Sequence, residues 1–240
     1  MSLVPMPGMQ SDVVNSDVTE AFIGGARGAG ATTAIFMAWE KHLADVGGAA
    51  RGVVAFPFYN MARFHFDEMV RELAPGCRAH LVNLRFDYDN GASLSLSWTG
   101  EATGVKLFSR FCFPEASFLA FDNADWYESQ SVVDDVCSIV RPVPRVKYRR
   151  IITGHPPICP DGPSWLRDRY VGKAPDGEEF WRKDSTSPTL WTKCRFFPAT
   201  AAGNGFLWTH ETEEWMASAL GRGSNEWNRI YLGMWDGGEK

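Results

Sequence analysis

The sequence predicts an α/β fold in which a mainly parallel central sheet is flanked by helices. Short apolar runs have the length of buried strands and adjoin glycine or polar residues, at positions 21–23, 52–56, 116–121 and 150–154. Between the first two runs, residues 32–46 place apolar side chains at three- and four-residue steps, the period of an amphipathic helix. Alternating strands and helices of this kind are typical of a parallel sheet.

The helical pattern recurs twice more. The first helix ends at two consecutive glycines, Gly47 and Gly48. Residues 61–73 repeat the helical period, and a last helix is predicted over residues 211–220. Residues 1–20 are polar and are expected to be irregular.

An antiparallel addition to the sheet is also predicted. Residues 89–91 read Asp-Asn-Gly and lie between the apolar segment 81–86 and the alternating segment 92–98. An Asn-Gly pair between two such segments is typical of a hairpin turn. Beyond residue 160 the chain is rich in Trp, Pro and charge. We therefore expect a core over residues 1–160 and a small lid or linker subdomain over residues 161–240.

Composition indicates a globular protein. The chain has 240 residues, 45% of them hydrophobic, which is enough for a substantial core. A net charge of -5 does not suggest a protein that coats nucleic acid, although a local basic strip could still face DNA. The sequence contains no apolar stretch of the roughly 20 residues that would span a bilayer.

The strongest motif follows the first predicted strand. Gly25, Gly30 and Thr32 fit the phosphate-loop pattern GxxxxGK[ST] at every fixed position except the lysine. In such a loop, backbone N–H groups curl around phosphates at a helix N-terminus, and the Thr32 hydroxyl would bind Mg²⁺. A glycine-rich turn without a ligand is the alternative. The predicted nucleotide-binding residues are Gly25, Ala26, Arg27, Gly28, Ala29, Gly30, Ala31, Thr32 and Thr33.

The loop lacks its usual cation. Ala31 occupies the lysine position, so the charge that normally contacts the β- and γ-phosphates is missing. Arg27, within the loop, would supply a cation from another direction, but an arginine there need not restore catalysis.

A second motif is the apolar run that ends at Asp122. In phosphate-loop ATPases such an aspartate holds Mg²⁺, and the following residue is commonly a glutamate that polarises the attacking water. Here the following residue is Asn123, and an amide cannot act as a general base. Hydrolysis should therefore be slow unless Asp125 or another acid substitutes. A strand end that merely happens to carry aspartate is the alternative.

A third motif, Thr153-Gly154-His155, ends another predicted strand. Parallel strands present their carboxyl ends at one edge of the sheet, so these residues would lie beside the other two motifs. There they would sense the γ-phosphate and couple its loss to movement. A purely structural His155 fits the sequence as well.

Taken in order, these motifs resemble those of the large terminase subunits of tailed bacteriophages. Residues 7–10 look like the segment whose glutamine, here Gln10, contacts adenine, and residues 24–30 match that family's phosphate loop with its additional arginine. Asp122 matches the Mg²⁺ aspartate, and residues 153–156 are similar to a coupling motif that usually reads Thr-Gly-Asn-Pro. Further segments resemble the end of the motor domain, at residues 162–170, 196–204 and 232–235.

The resemblance implies an ATPase that uses ATP and Mg²⁺ to translocate double-stranded DNA into a procapsid. Implied partners are double-stranded DNA, the portal protein of the procapsid, the small terminase subunit and further copies of the chain in a ring. The implied location is the host cytoplasm, without a membrane. In such rings an arginine from a neighbour completes the site. Arg141 is a candidate, with Arg145, Arg149 and Arg150 as competitors.

Ala31 and Asn123 depart from the family at the two positions whose substitution would disable such an ATPase. Impaired hydrolysis is therefore expected, and no nuclease domain is expected within residues 1–240. Two alternatives remain open. The chain would be another phosphate-loop DNA motor, or a structural module that binds nucleotide without hydrolysing it.

Overall fold

A computed structural model describes residues 4–71, 75–100, 105–111, 115–157, 164–183, 191–205 and 209–235. Parts of the predicted elements lie outside these ranges, including Leu73 of the second helix and residues 162–163 of the terminase-like segment. The strands are β1 (Glu20–Gly25), β2 (Arg51–Phe56), β3 (Cys77–His80), β4 (Arg85–Tyr88), β5 (Ser93–Trp98), β6 (Glu115–Ala116), β7 (Phe118–Phe121), β8 (Arg141–Pro142), β9 (Arg149–Gly154), β10 (Glu179–Lys183) and β11 (Trp191–Ala199).

Nine of these strands form one sheet, in the order β10-β11-β1-β9-β7-β2-β5-β4-β3. The six strands from β11 to β5 run parallel, which confirms the predicted mainly parallel sheet. Antiparallel strands flank them, with β10 on one side and β4 and β3 on the other. Strand β9 lies between β1 and β7. The glycine-rich loop after β1 and Asp122 after β7 therefore both lie next to the Thr153-Gly154-His155 motif of β9.

The predicted hairpin is confirmed, but its first strand is shifted. Strands β4 and β5 pair across the Asn-Gly turn, where Asn90 Oδ1 accepts a hydrogen bond from the Ala92 amide at 3.0 Å. Residues 81–84 form a turn instead of the predicted strand, and Leu81 and Val82 are exposed there. Leu84 has a φ of 47°, which reverses the chain between β3 and β4.

The helices cover both faces of the sheet. Those predicted from the sequence are confirmed close to their expected bounds, whereas the first helix contradicts the expectation that residues 1–20 are irregular. This helix has seven residues, too few to display a helical period. The helices are α1 (Met9–Asn15), α2 (Ala31–Val46), α3 (Tyr59–Arg71), α4 (Val105–Arg110), α5 (Gln130–Ile139), α6 (Trp165–Tyr170), α7 (His210–Leu220) and α8 (Asn225–Ile230).

Two apolar layers result, one on each face. On the first face, Trp39 of α2 and Phe66 of α3 are buried against the strands. On the second, Phe22 of β1 stacks on Tyr170 of α6 at 4.6 Å between ring centroids and meets Trp235 edge-on at 5.5 Å. Helices on both faces leave the carboxyl edge of the parallel strands available for a site.

The part of the chain beyond residue 160 contributes to the same sheet through β10 and β11. The division into a core and a lid or linker subdomain stays a prediction. Among the described residues, none of the helices is both long and apolar enough to cross a membrane.

Candidate functional site

A tight glycine-rich loop joins β1 to α2 at the carboxyl edge of the sheet. Gly25 lies so close to β11 that a Cβ there would sit 1.9 Å from the carbonyl oxygen of Ala199. Gly30 precedes the first turn of α2 with a φ of 84°, in the left-handed region that favours glycine. The loop therefore has the strand, turn and helix context that a phosphate-binding loop requires.

Backbone contacts with distant parts of the chain fix the loop. The Ala26 amide donates to the carbonyl of Ala199 at 2.7 Å, and the Arg27 amide donates to the carbonyl of Ile230 at 3.2 Å. Gly233 fits against the same place, since a Cβ there would lie 2.4 Å from the Ala26 nitrogen. The end of β11 and the segment after α8 thus shape the loop.

Two amide side chains brace the loop from either side. Asn204 Nδ2 donates to the carbonyl of Gly28 at 2.6 Å, and Gln10 Nε2 donates to the carbonyl of Gly30 at 3.2 Å. Both side chains are buried. Gln10 is thus tied to the glycine-rich loop itself, and its predicted contact with adenine stays a prediction.

Thr32 and Asp122 meet across the start of α2 and the end of β7. The Thr32 hydroxyl lies 3.0 and 3.1 Å from the two carboxylate oxygens of Asp122. Asp122 is fully buried, and burial raises the pKa of its carboxyl, an effect that a hydrogen bond from Thr153 opposes. The pair is thus a hydroxyl and a buried carboxylate in contact at the helix start.

The oxygen donors of this pair fit Mg²⁺. Asp122 accepts hydrogen bonds from neutral groups, the hydroxyls of Thr32 and Thr153 and the Asn123 amide. Mg²⁺ prefers oxygen ligands and is commonly held by one or two carboxylates together with substrate phosphates. A cation beside Asp122 would offset the unfavourable burial of its charge.

Asn123 and Thr153 complete a hydrogen-bonded group around the carboxylate. Asn123 Nδ2 donates to Asp122 at 2.6 Å, and Thr153 Oγ1 donates to it at 2.7 Å. The Asn123 backbone N–H in turn donates to Thr153 Oγ1 at 2.9 Å. Asn123 has a φ of 51°, an uncommon conformation that asparagine tolerates better than most residues. The ends of β7 and β9 are therefore linked directly.

His155 continues from β9 and is held by Asp125. Asp125 Oδ1 accepts a hydrogen bond from the His155 backbone amide at 3.1 Å and lies 3.1 Å from its ring Nδ1. Gly154 is closely packed, since a Cβ there would lie 2.5 Å from Leu166. The third motif is therefore fixed at this edge of the sheet.

A cavity of about 240 Å³ lies between these elements. Arg27 is exposed and does not line it. Arg141 lies exposed on β8, where its backbone is in register with Glu115 of β6. Gln10 does not line the cavity either. The predicted residues that do line it are Gly25, Ala26, Gly28, Ala29, Gly30, Ala31, Thr32, Thr33, Asp122, Asn123, Thr153, Gly154 and His155.

Three further lining residues, Ile23, Ala199 and Asn204, were not predicted to take part in the site. Asn204 was identified only within a terminase-like segment. The available signal was its place just after an apolar strand, where open α/β sheets bring polar side chains to the ligand edge.

The fold is similar to that of large terminases from thermophilic bacteriophages. The chain superposes on the large terminase of one thermophilic bacteriophage with a TM-score of 0.67 and 12% identity, covering 97% of this chain and 54% of that one. The same terminase in complex with ATP-gamma-S gives a TM-score of 0.65 and 15% identity, covering 97% of this chain and 53% of that one. The chain thus spans about half the length of that large terminase.

A second match is the ATPase domain of the Thermus phage P74-26 large terminase, with a TM-score of 0.59 and 16% identity. It covers 95% of this chain and 92% of that one. The predicted resemblance is confirmed at the level of the fold. No protein-family model matches the chain, and no curated protein matches it in sequence.

Proposed function

We propose that the chain is the ATP-binding motor domain of a viral DNA-packaging terminase large subunit. The observation that carries the proposal is the contact between Thr32 and Asp122 at the end of a glycine-rich loop, within a fold shared with terminase ATPase domains. This chain covers about half of a large terminase from a thermophilic bacteriophage, and the two share a fold. Structures of that terminase have been solved with ADP and with ATP-gamma-S. Nucleotide in the cavity beside the loop is the ligand that fits these features.

Each part of the site has a role in this proposal. Backbone N–H groups of residues 28–32 surround the phosphates at the start of α2, where the helix dipole favours negative charge. Thr32 and Asp122 hold Mg²⁺, which when bound neutralises charge on the phosphates. Thr153 and His155 line the same cavity, and in this proposal they sense the γ-phosphate.

Hydrolysis is impaired in this proposal, because two polar groups that ATP cleavage needs are absent. Ala31 lines the cavity where a lysine would neutralise the phosphates. The side-chain N–H of Asn123 donates to the Asp122 carboxylate, and an amide side chain cannot accept the proton of an attacking water. Asp125 is a weak substitute, since its carboxylate is engaged by His155.

The working assembly is a ring of copies on the portal protein of a procapsid, with double-stranded DNA and the small terminase subunit as partners. Arg141 is exposed and outside the cavity, as a residue that completes a neighbour's site would have to be. A structural module that binds nucleotide without turnover is a second candidate, and it is favoured by Ala31 and Asn123. Another phosphate-loop DNA motor would retain the same site.

The test compares the chain with the double variant Ala31→Lys plus Asn123→Glu. Binding of Mg²⁺-ATP and release of phosphate are measured with and without double-stranded DNA. A matched control, Ala31→Met plus Asn123→Gln, adds similar side-chain length without the charges. We expect the Lys/Glu variant to bind ATP more tightly than the other two proteins and to be the only one of the three that hydrolyses it.

The outcomes separate the candidates. ATP binding by the unmodified chain, with no turnover in the Lys/Glu variant even when DNA is present, would favour the structural module. If none of the three proteins binds ATP, the nucleotide-site proposal is wrong.

A further inference from the structure

A second groove lies at the opposite edge of the sheet, far from the phosphate loop. It is bordered by the end of α1, the last turns of α2 and the segment that leads into β9. Its volume is about 430 Å³. Helix α2 starts at the phosphate loop and ends at this groove, so the two sites are roughly 24 Å apart along a 16-residue helix.

Three cations line this groove, and none of them forms an ion pair within 4.0 Å among the described residues, although the charge of Asp45 acts on Arg149. Arg145 and Lys147 are exposed at its rim. Arg149 is buried, and its guanidinium donates to the main-chain carbonyls of Val13 and Val14. These carbonyls satisfy hydrogen bonds but do not neutralise the charge, and burial lowers the pKa of Arg149 to about 10.

The carboxylates of the groove are already engaged. Asp45 pairs with Lys41 at 3.0 Å within α2. Asp17 lies 3.7 Å from Lys193. The groove as a whole therefore keeps a surplus of positive charge, although the chain is acidic.

His42 lines the groove and is affected by its positive charges. It is buried, and its Nε2 lies 2.9 Å from the Ser117 hydroxyl. Burial and the charges of Arg149 and Lys147 lower the pKa of His42 to about 4, although Asp45 opposes the shift. A positive potential therefore acts where His42 meets the groove.

We propose that this groove binds a phosphate group, either as a free anion or as part of a phosphodiester backbone. The exposed Arg145 and Lys147 line a concave surface together with the buried charge of Arg149, which suits an oxyanion with several acceptor oxygens. Arg145 also has a φ of 63°, so the chain holds a strained residue at the rim of the groove. The site is independent of the proposed nucleotide site.

The experiment follows histidine imidazole resonances by NMR while inorganic phosphate is added. His42 lines the groove and His155 lines the cavity at the phosphate loop, so the two rings distinguish the two sites. Bound phosphate adds negative charge beside His42, and we expect its pKa to rise by about one unit or more. A response of His155 alone would contradict the proposal.

The double variant Arg145→Ala plus Lys147→Ala removes the exposed cations and leaves the buried Arg149 in place. We expect phosphate binding at His42 to weaken by about tenfold or more, because both changes remove attraction for the anion. The control Arg78→Ala plus Lys106→Ala removes the same charge from exposed positions on β3 and α4. It should bind phosphate at His42 like the unmodified chain.

A second arm replaces phosphate with a short DNA duplex. Displacement of phosphate from His42 by the duplex would assign the groove to a phosphodiester backbone, and salt should weaken that binding steeply. A response to phosphate alone would assign it to a free anion. If neither probe shifts His42, or if the Arg145/Lys147 variant responds like the unmodified chain, the proposal is wrong.

Discussion

Replacing Glu20 by glutamine tests a buried charge at the base of the phosphate-loop strand. Glu20 is fully buried, and three guanidinium groups surround its carboxylate. Arg150 approaches at 2.7 Å, Arg182 at 3.0 Å and Arg169 at 3.4 Å, while the Tyr170 hydroxyl donates at 2.9 Å. Glutamine keeps the shape but leaves these guanidinium groups around a neutral amide.

The expected loss is large for one substitution. Removing one partner of a buried ion pair typically costs about 3–5 kcal/mol, and the retained amide oxygen favours the lower end, about 3 kcal/mol. With a urea slope of about 2 kcal/mol per M, the unfolding midpoint would fall by about 1.5 M. The assay is urea unfolding followed by tryptophan fluorescence, with Glu128→Gln as an exposed control.

The pH dependence of this loss has a defined sign. Burial raises the pKa of Glu20, but Arg150, Arg169, Arg182 and Tyr170 outweigh it and hold the pKa far below its ordinary value of 4.5. Unfolded Glu20 therefore binds a proton as the pH falls below 4.5, while folded Glu20 stays charged. The stabilisation is complete above that pH and declines below it, so the difference between the unmodified chain and the Glu20→Gln variant should narrow in acid. A loss under about 1 kcal/mol at neutral pH, matching the Glu128→Gln control, would refute the reasoning.

Three other outcomes are expected. Gly25→Ala places a Cβ 1.9 Å from the Ala199 carbonyl oxygen and should abolish ATP binding measured by calorimetry, whereas Gly205→Ala, with no atom within 4 Å of its new Cβ, should not. Asp122→Asn removes a buried carboxylate whose pKa is raised by burial. Mg²⁺-dependent ATP binding should weaken about tenfold or more, because a ligand of the metal is lost. Thermal stability without ligand should stay equal or rise, because a buried charge is removed. His42 has a pKa of about 4 against an ordinary 6.5, so its neutral form stabilises the fold fully above pH 6.5. Stability should fall between pH 6.5 and 5 by at most about 1.4 kcal/mol per pH unit, and His42→Gln should remove that part of the slope in urea unfolding.

Local sequence patterns predicted the strands β1, β2, β7 and β9 well, because each of them contains a continuous apolar run. The hairpin was predicted by its Asn-Gly turn, although Leu81 and Val82 misled the placement of its first strand by being apolar and exposed. Helix α1 escaped prediction because a short helix with two buried valines shows no period. The pairing of β11 with β1 was beyond local pattern, since it joins segments from opposite ends of the chain.

In the candidate site too, local sequence patterns predicted some residues, and others could be found only from the structure. Sequence spacing marked Thr32, Asp122 and Thr153 as ends of strands or starts of helices, and the structure brings their side chains together. It did not indicate that Asn204 braces the loop, because one asparagine after a strand carries no distinctive spacing. The partners of Glu20 were equally hidden, since its arginines lie far along the chain.

The glycine-rich loop between β1 and α2 takes its shape from residues that are synthesised much later than the loop itself. Ala26 is bonded to Ala199, and Arg27 to Ile230, so both anchors are absent while the first strand leaves the ribosome. At about 5–20 residues per second, translation needs roughly 10 s or more to travel from the loop to its last anchor. A nascent chain therefore carries the glycine-rich segment without these two anchors, and the loop reaches its folded shape only after residue 230 has been added and packed.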